Sequence, residues 1–535
     1  MDKRTILALL LILVVFWISS EFIWKSNVPQ QPNEQPVENV EQTTTRSNRD
    51  LQQTTSQPNT ENSNSIELTE SDVAIDNNIT LQNNLLNLTF SNLGAVITSI
   101  ELVEYKMADK ETPANLIPLD QDILGMELKL ESGNTINLST IPFQYETRDR
   151  QIIFAAETQY GKIQKSFSIE NNYEVKMQIR IDSESSMESY QLAFDSGIAD
   201  TENYLKMKSR DYKIVGQINN ELNKFTLSKL KEDRMVNGHV NWAAIKSKYF
   251  TIAVIPDDLI DTDKLEAFNA GDSPAMNLNV NTDRSMVSHN YHLYLGPLVY
   301  KNLVTYGNGI ENVVEMGPKW LQWIGKIFKG FISFLYSLIP NWGICIIIFS
   351  IVLKIILYPL THKSFESTTK MQKINPMMKE IQKKYKKDPQ TMNAELKKLY
   401  KEHGVNPMGG CLPILIQMPI LFALYPILRY SIALRQASFL WLPDLSEPDP
   451  VWALPILMAV FMFVQQKLMA PSKQKLEEMD EKQKAAMQSQ KLMMYFMPVM
   501  MFFIFKGLAS GLVLYWTVFS VIGSVQQYFI KKKFN

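Results

Sequence analysis

Cysteine is almost absent from this chain of 535 residues, which has only two. Cys345 and Cys411 both lie in apolar runs, and the first 310 residues contain none. Disulfide bonds therefore play no part in stabilising the polar N-terminal half. A cysteine in apolar surroundings usually acts as a small packing residue, so we assign neither one a catalytic or metal-binding role.

The common signatures of enzymes are also missing. The chain has no glycine-rich phosphate loop ending in Gly-Lys-Ser/Thr and no His-Glu-x-x-His pair. Ser510, in the apolar stretch LASGL, would need a partner base to act as a nucleophile, and no histidine lies in any apolar run. We interpret Ser510 as a small residue in a tight connection between two helices. We predict no enzymatic activity, no cofactor and no metal.

Acidic residues are absent from the C-terminal apolar runs. These runs cover 342–360, about 409–428, about 451–469 and 491–529, and none contains Asp or Glu. A proton-coupled transporter needs paired carboxylates along its ion path, and many transporters carry inverted repeats that we do not find. Both observations count against a small-solute transporter, which is the main alternative function.

The N-terminus has two cations followed by an apolar run, MDKRTILALLLILVVFWISSEFIW. A cleaved signal peptide is the alternative, but no small-x-small cleavage site follows the run. Trp17, Phe22 and Trp24 are typical of an anchor at the membrane interface. We therefore predict an uncleaved transmembrane anchor over 1–25. The Gln-, Asn-, Pro- and Thr-rich residues 26–65 are predicted to form a disordered tether.

Alternating apolar residues dominate 66–317. Stretches such as YEVKMQIRIDS (173–183) and WAAIKSKYFTIAVIP (242–256) repeat with period two and are separated by turn residues. Many short strands at this density predict a large all-β sandwich.

Helical periodicity replaces this alternation after residue 317. Residues 318–341 place Trp320, Ile324, Phe328 and Phe331 on one side, which predicts an amphipathic helix in the membrane interface. The apolar runs of 342–535 predict five transmembrane helices, because 491–529 is long enough for two with a break near LASG. The fold class is thus a multidomain, multi-pass membrane protein with an all-α core and an exported β-sandwich.

Lysine placement orients these predicted spans. The 362–404 loop carries 11 Lys against 5 acidic residues, whereas the 429–450 loop has a net charge of −1. By the positive-inside rule, we expect the lysine-rich loops and both termini to be cytoplasmic and the sandwich to face outwards, into the periplasm if the cell is Gram-negative. The 362–404 loop is predicted to form a helical hairpin that turns at Asp388-Pro389 and ends at Gly404. Its lysines form either a solvated face or a surface for anionic lipid or ribosomal RNA.

Lys354 interrupts an apolar run, where an ammonium costs roughly 2.5–3.5 kcal/mol on insertion scales. In a helix, Ser350, Lys354 and Tyr358 share one face, while Gln417 and Ser520 interrupt other spans. This polar stripe without acids indicates a hydrophilic groove. The alternative is that Lys354 only snorkels towards the cytoplasmic end of its helix.

Four stretches together resemble the YidC/Oxa/Alb family of membrane-protein insertases. They are NWGICIIIFSIVLKIILYPLT, KMQKINPMMKEIQKKY, VNPMGGCLPILIQMPILFALY and ASGLVLYW. The N-terminal anchor and exported domain resemble the Gram-negative form of the family. The resemblance implies an inner-membrane insertase and chaperone with five core helices around a groove, acting alone or beside the Sec translocon. Its implied partners are nascent membrane proteins, the Sec translocon, membrane lipids and, weakly, the ribosome.

The resemblance also assigns residues. The family's groove cation is usually arginine and matches Lys354, which keeps the charge but loses the planar fork of a guanidinium. Its substrate-sliding contacts match Met418, Leu421, Tyr515 and Trp516. The exported domain resembles the galactose mutarotase sandwich, although a shared fold does not give sugar chemistry. Every residue assigned to the groove lies after residue 318. We therefore expect a protein that lacks residues of about 70–300 still to insert membrane proteins.

Overall fold

The structure is a computed structural model that describes residues 74–183, 185–282, 284–406, 412–469 and 495–534. The predicted anchor (1–25) and tether (26–65) lie outside the described residues, as do 470–494.

Residues 74–317, here called the β domain, form antiparallel sheets. Their strands are β1 (Ile79–Gln82), β2 (Leu86–Ser91), β3 (Val96–Lys106), β4 (Pro113–Asn115), β5 (Gly125–Leu130), β6 (Thr135–Asn137), β7 (Gln144–Arg148), β8 (Gln151–Thr158), β9 (Gly161–Ile169), β10 (Glu174–Ser183), β11 (Met187–Phe194), β12 (Lys213–Ile218), β13 (Glu221–Thr226), β14 (Arg234–Asn237), β15 (Val240–Lys246), β16 (Phe250–Pro256), β17 (Thr262–Ala270), β18 (Ser273–Asn281) and β19 (Met286–Pro297). Two single helical turns, Lys208–Asp211 and Tyr300–Leu303, accompany them.

The strands build three sheets around one hydrophobic core. The nine-stranded sheet has the order β13-β12-β15-β16-β19-β10-β9-β8-β7, the six-stranded sheet β14-β17-β18-β11-β5-β6, and the four-stranded sheet β1-β2-β3-β4. The two larger sheets face each other where β15 packs against β17 and β18. Trp242 is fully buried in the core that they share. The prediction of a large all-β domain is confirmed.

The sequence alternation explains β10 better than β16, although both strands pair with β19 near the middle of the same sheet. In β10, Val175, Met177, Ile179 and Ile181 are buried and the residues between them are not, as expected of a strand with one face on a core. In β16, by contrast, every residue from Phe250 to Pro256 is buried. The predicted alternation is wrong for this strand, because both faces of the sheet are covered there.

A buried lysine joins two parts of the β domain. Lys165 on β9 is fully buried, and its ammonium donates hydrogen bonds of 2.9 Å to the carbonyls of Gly94 and Leu124. Buried carbonyls must find donors, and a charged donor strengthens such bonds.

We expect Lys165→Met to destabilise the β domain by on the order of 3 kcal/mol, because two buried carbonyls lose their donor. Urea unfolding of the full-length protein, followed by pulse proteolysis of the β domain, measures this change. Lys162→Met is the matched control on the same strand, because Lys162 is exposed and should change stability by less than about 0.5 kcal/mol. Equal stabilities of the two variants would contradict the assignment.

Helices fill the described chain after residue 318. They are α1 (Gln322–Leu338), α2 (Trp342–Lys384), α3 (Pro389–Glu402), α4 (Leu412–Arg429), α5 (Ala453–Met469), α6 (Tyr495–Phe505) and α7 (Ser510–Phe534). By length and composition, Trp342–Thr368 and Ser510–Lys532 can cross a membrane, and Leu415–Arg429, Ala453–Leu468 and Tyr495–Phe505 are shorter apolar helices. The predicted break at LASG is confirmed, because α6 ends before it and α7 begins within it.

Helix α1 is apolar on two sides. Phe328 and Phe331 pack their rings against Phe349 of α2, at centroid distances of 5.2 and 6.2 Å. Trp320 and Trp323, each 62% exposed, instead face away from the protein. The predicted single stripe is therefore wrong in part, because Phe328 and Phe331 pack into the helix core whereas Trp320 faces outwards.

Helix α2 continues past the end of its predicted span. It begins with Asn341, whose side chain accepts a hydrogen bond from the Ile344 amide, and runs through Pro359 and Pro376 without a break. Its second half packs against α3 around Ile374 and Leu399. This hairpin turns where the sequence predicts, because Asp388 caps α3 through the amides of Gln390 and Thr391.

Candidate functional site

Helices α2 and α7 run side by side, and the candidate site lies between them. Thr361 of α2 accepts a hydrogen bond of 2.9 Å from the Gln526 amide of α7. Two turns earlier on both helices, the Lys354 ammonium lies 3.9 Å from the centre of the Phe519 ring. The two contacts are separated by seven residues on each helix, so the helices are parallel and keep one register.

The side chain of Lys354 is buried against α7, between Phe519 and Gly523. Its contact with Phe519 has the same register as the pair between Thr361 and Gln526, and the residue is only 4% exposed. A snorkelling lysine extends its stem towards the end of its helix. The ammonium of Lys354 reaches Gly523 as well as Phe519, so the choice between a groove cation and a snorkelling lysine stays a prediction.

The charge of Lys354 has no acidic neighbour in the described part of the chain, where no ion pair includes it. Its observed partner is an aromatic face, which attracts a cation by about 0.5–2 kcal/mol. Gly523 permits this close approach, because an added Cβ would lie 3.1 Å from the ammonium and 2.4 Å from the Gln465 amide nitrogen. A carboxylate that entered here would meet an uncompensated positive charge.

An open cleft of about 460 Å³ runs along this contact. It is lined by Lys354, Ile355, Tyr358, Ile522, Val525, Gln526 and Phe529. The lining combines apolar side chains with a cation, a phenol and an amide. A segment that is both apolar and polar could therefore find partners along its length.

The predicted polar residues are only partly gathered in the cleft. Lys354 and Tyr358 line it, and Tyr358 is 48% exposed. Ser350 is fully buried and donates its hydroxyl proton to the Ile346 carbonyl one turn earlier in its own helix. Ser520 is buried outside the lining, and Gln417 donates to the Tyr515 hydroxyl at 3.1 Å. These three residues do not line the cleft, because intramolecular packing or hydrogen bonds hold them elsewhere.

Sequence reasoning missed Gln526 as a member of the site. It lies one residue from Gln527, and both are buried with amide oxygens that have no hydrogen-bond partner among the described residues. Buried acceptors are normally satisfied by protein or water, so these oxygens favour hydration beside the cleft. The sequence feature that could have indicated Gln526 is its spacing of seven residues from Phe519, which puts both residues on the same face of α7.

The predicted sliding residues lie at different depths. Met418, Leu421 and Trp516 are partly exposed, and Trp516 packs 5.3 Å from the Phe505 ring. Tyr515 is fully buried between Phe349 and Phe519. Tyr515 thus lies behind this surface, because its ring and hydroxyl are both held by neighbours. A substrate contact with Tyr515 stays a prediction that requires α4 to move.

Among the side chains that the structure describes, no three His, Cys, Asp or Glu are grouped as a metal site requires.

Comparisons with known proteins cover the whole chain. Residues 334–535 match a family described as 60Kd inner membrane protein, and residues 78–329 match the YidC periplasmic domain. A relative from Syntrophus aciditrophicus (strain SB), a membrane protein insertase YidC, is 30% identical over 563 residues, with 100% of both chains covered. The membrane protein insertase YidC of Pelodictyon phaeoclathratiforme (strain DSM 5477 / BU-1) is 31% identical over 500 residues, covering 84% of this chain and 82% of the relative. Among solved structures, an active YidC insertase with its first transmembrane domain resolved is 20% identical, covers 86% of this chain and 94% of that chain, and has a TM-score of 0.37.

Proposed function

Because this chain belongs to the YidC family of membrane protein insertases, we propose that the cleft between α2 and α7 receives the segments that it inserts. The chain is an inner-membrane insertase rather than an enzyme, and its substrates are nascent membrane proteins. The cleft is the part of the described helix core where a cation, exposed apolar side chains and unpaired amide oxygens meet.

One observation carries this proposal: the Lys354 ammonium is held inside the helix core, and none of the residues that the structure describes gives it a carboxylate partner. Removing an ammonium from water is costly unless another function offsets the cost. An acidic tail or a polar helix end could satisfy Lys354 while crossing part of the bilayer. The cleft would thereby lower the desolvation barrier that such a tail meets in lipid.

The apolar part of a substrate would leave the cleft towards lipid. Met418, Leu421 and Trp516 offer a partly exposed apolar surface along this route. Contacts of this kind are non-directional, so many sequences can use them. Burial in lipid then favours release, and no nucleotide or metal is needed.

The proposed topology has five core spans, α2, α4, α5, α6 and α7, together with an anchor over 1–25. Helix α1 lies in the membrane interface, as its exposed Trp323 and the exposed Trp320 in the turn just before it favour. Both termini are cytoplasmic in this arrangement and the β domain is periplasmic. The basic hairpin of α2 and α3 would then meet anionic lipid or the ribosome, and the Sec translocon is a further proposed partner.

Photocrosslinking tests the proposed cleft. A photoreactive amino acid at Ile355, which is 66% exposed and lines the cleft, should crosslink to a ribosome-bound nascent chain. The same probe at Ile456 of α5, which is 50% exposed outside the cleft lining, should crosslink at least tenfold less. Equal yields at the two positions would reject the cleft as the route.

A further inference from the structure

Residues 434–447, here called the plug, lie in the connection between α4 and α5. Leu434, Leu442 and Leu445 are buried in the same apolar cluster as Cys345 of α2. Phe439 lies directly on Gly343, where an added Cβ would come 2.1 Å from its ring. The plug therefore covers the end of the helix core at which α2 begins.

The plug also holds the first turn of α7. The Ser510 amide donates to the Glu447 carbonyl at 2.7 Å, and the Gly511 amide donates to the Leu445 carbonyl at 2.8 Å. The Ser510 hydroxyl donates to the Asp444 carbonyl at 3.0 Å. Amides in the first turn of a helix have no partner within the helix, so the plug supplies what α7 lacks. The position of Phe519, two and a half turns later, depends on this attachment.

The β domain grips the plug mainly through Arg435. The guanidinium forms an ion pair with Glu202 at 2.6 Å and donates to the carbonyls of Lys106 and Thr201 at 2.6 and 3.0 Å. The side chains of Arg435 and Glu202 are only 2% and 8% exposed. Lys248 adds a hydrogen bond of 3.0 Å to the Ser446 carbonyl. One guanidinium thus joins three points of the β domain to the plug.

A buried ion pair of this kind is weak evidence for stability, because desolvation offsets most of its attraction. Its geometry is nevertheless specific, since a planar guanidinium satisfies three acceptors only in one arrangement. A second pair, Arg429 with Asp211 at 2.7 Å, fixes the adjacent end of α4. These two ion pairs are therefore suited to fix the plug and α4 in one position relative to the β domain rather than to supply binding energy.

We infer that Arg435 and Glu202 are positioning residues through which the β domain keeps the plug seated and fixes the start of α7. This role extends the insertase function to the β domain, and its link to substrate uptake rests on the proposed cleft. The closure itself does not depend on the cleft, so it can be measured without substrate.

The labelling rate of the native Cys345 thiol measures whether the plug is in its closed position. Cys345 is fully buried in the same apolar cluster as the plug leucines, two residues after Gly343, on which Phe439 of the plug lies. A charged, lipid-insoluble maleimide should therefore label it faster when the plug opens. We would label the full-length protein in lipid nanodiscs, with Cys411→Ser in every variant so that Cys345 alone reacts. We expect Arg435→Ala and Glu202→Ala each to raise the labelling rate at least tenfold. The double variant should match Arg435→Ala, because the Arg435 change already removes the ion pair with Glu202.

The control is Lys129→Ala, which breaks an ion pair with Glu188 that is about half exposed on the β domain. It should leave labelling unchanged. Arg435→Lys keeps the charge without the planar fork and should give an intermediate rate. If Arg435→Ala does not accumulate, Gln436→Ala, which removes a hydrogen bond of 2.7 Å to the Met107 carbonyl, should still raise labelling.

Two further readouts separate positioning from general instability. Urea unfolding of the β domain should keep its midpoint in Arg435→Lys, while crosslinking from Ile355 to a nascent chain should fall. Wild-type labelling in a folded Arg435→Ala protein would overturn the inference. Faster labelling with unchanged crosslinking would leave the closure standing and count against the cleft as the route.

Whole-domain deletion is a different perturbation from these substitutions. Removing about 70–300 takes away Glu202 together with its surroundings and leaves Arg435 in water instead of buried and unpaired. The sequence-based expectation that the deletion is tolerated is therefore compatible with a strong effect of Arg435→Ala. We expect Cys345 to be labelled in the deletion variant as well, because the plug loses its grip; protection there would overturn the inference.

Discussion

Lys354→Glu should reduce translocation of acidic tails roughly 5–30-fold, which corresponds to about 1–2 kcal/mol. The reason is the sign of the charge, since Lys354 is a buried cation with no acidic partner among the described residues. The effect is modest because an attraction across a hydrated groove is screened by water and salt. Lys354→Arg should function, because a guanidinium also attracts carboxylates and stacks on an aromatic face such as that of Phe519.

Protease protection of a translocated tail measures this effect, with the tail charge varied against each variant at matched expression. Lys354→Ala should be intermediate, and substrates without acidic tails should respond less. Lys363→Glu is the matched control, because Lys363 lies on the same helix but is exposed outside the cleft lining. If Lys354→Leu, Lys354→Glu and the wild type translocate every tail equally, Lys354 has no part in substrate uptake.

Local sequence signals predicted the elements that depend on near neighbours. The hairpin turn follows from Asp388 and Pro389, because a capping carboxylate and a proline in the first turn act within three residues. The alternation of β10 likewise needs only one covered face. Such features are set by the chain around them and can be predicted without a structure.

Features that depend on distant partners could not be predicted in this way. Arg435 and Glu202 lie 233 residues apart, and nothing near either residue indicates the other. Tyr515 looks like a surface residue in an apolar run, but Gln417 binds it from another helix. In each case tertiary contacts override the local pattern.

Glu315→Gln should destabilise the β domain by about 3 kcal/mol near neutral pH, because it leaves buried lysines without their carboxylate. Glu315 lies just before α1, and its carboxylate is 2.7 Å from the Lys213 ammonium and 3.7 Å from that of Lys246. The expected loss of about 3 kcal/mol is at the low end for breaking a buried ion pair, because the side chains of Lys213 and Glu315 remain 15% and 21% exposed. At 2–4 °C per kcal/mol, the midpoint of thermal unfolding should fall by about 6–12 °C.

The pH dependence of this loss distinguishes it from a packing defect. Burial alone would raise the pKa of the Glu315 carboxyl, but Lys246, Lys213 and Lys224 outweigh burial and hold it well below its usual range. A depressed carboxyl pKa contributes stability that is complete above the unfolded pKa of about 4.3 and is lost progressively as the pH falls from there through the much lower folded pKa. At about pH 4 the stability difference between wild type and Glu315→Gln should therefore have begun to shrink.

The lysines act in the opposite direction at alkaline pH. Burial, opposed by Glu315, lowers the pKa of Lys246 to about 8. A lysine with a depressed pKa destabilises the fold while it is charged, and this cost is relieved as the pH rises from its folded pKa towards about 10.4. Without Glu315 the Lys246 pKa falls below 8, so the variant should begin to regain stability below about pH 8, before the wild type does. The difference between wild type and variant should thus be largest just above about pH 5, shrink as the pH rises towards 8 and stay constant above it.

Urea unfolding from pH 4 to 9.5, followed by pulse proteolysis of the β domain in the full-length protein, measures this profile. Glu170→Gln is the control, because its ion pair with Lys176 is exposed and should contribute less than about 1 kcal/mol. Lys246→Met combined with Glu315→Gln should be more stable than Glu315→Gln alone, since the completely buried cation is then gone. A loss that is constant across the pH range and not relieved by Lys246→Met would mean that Glu315 acts through packing rather than through its charge.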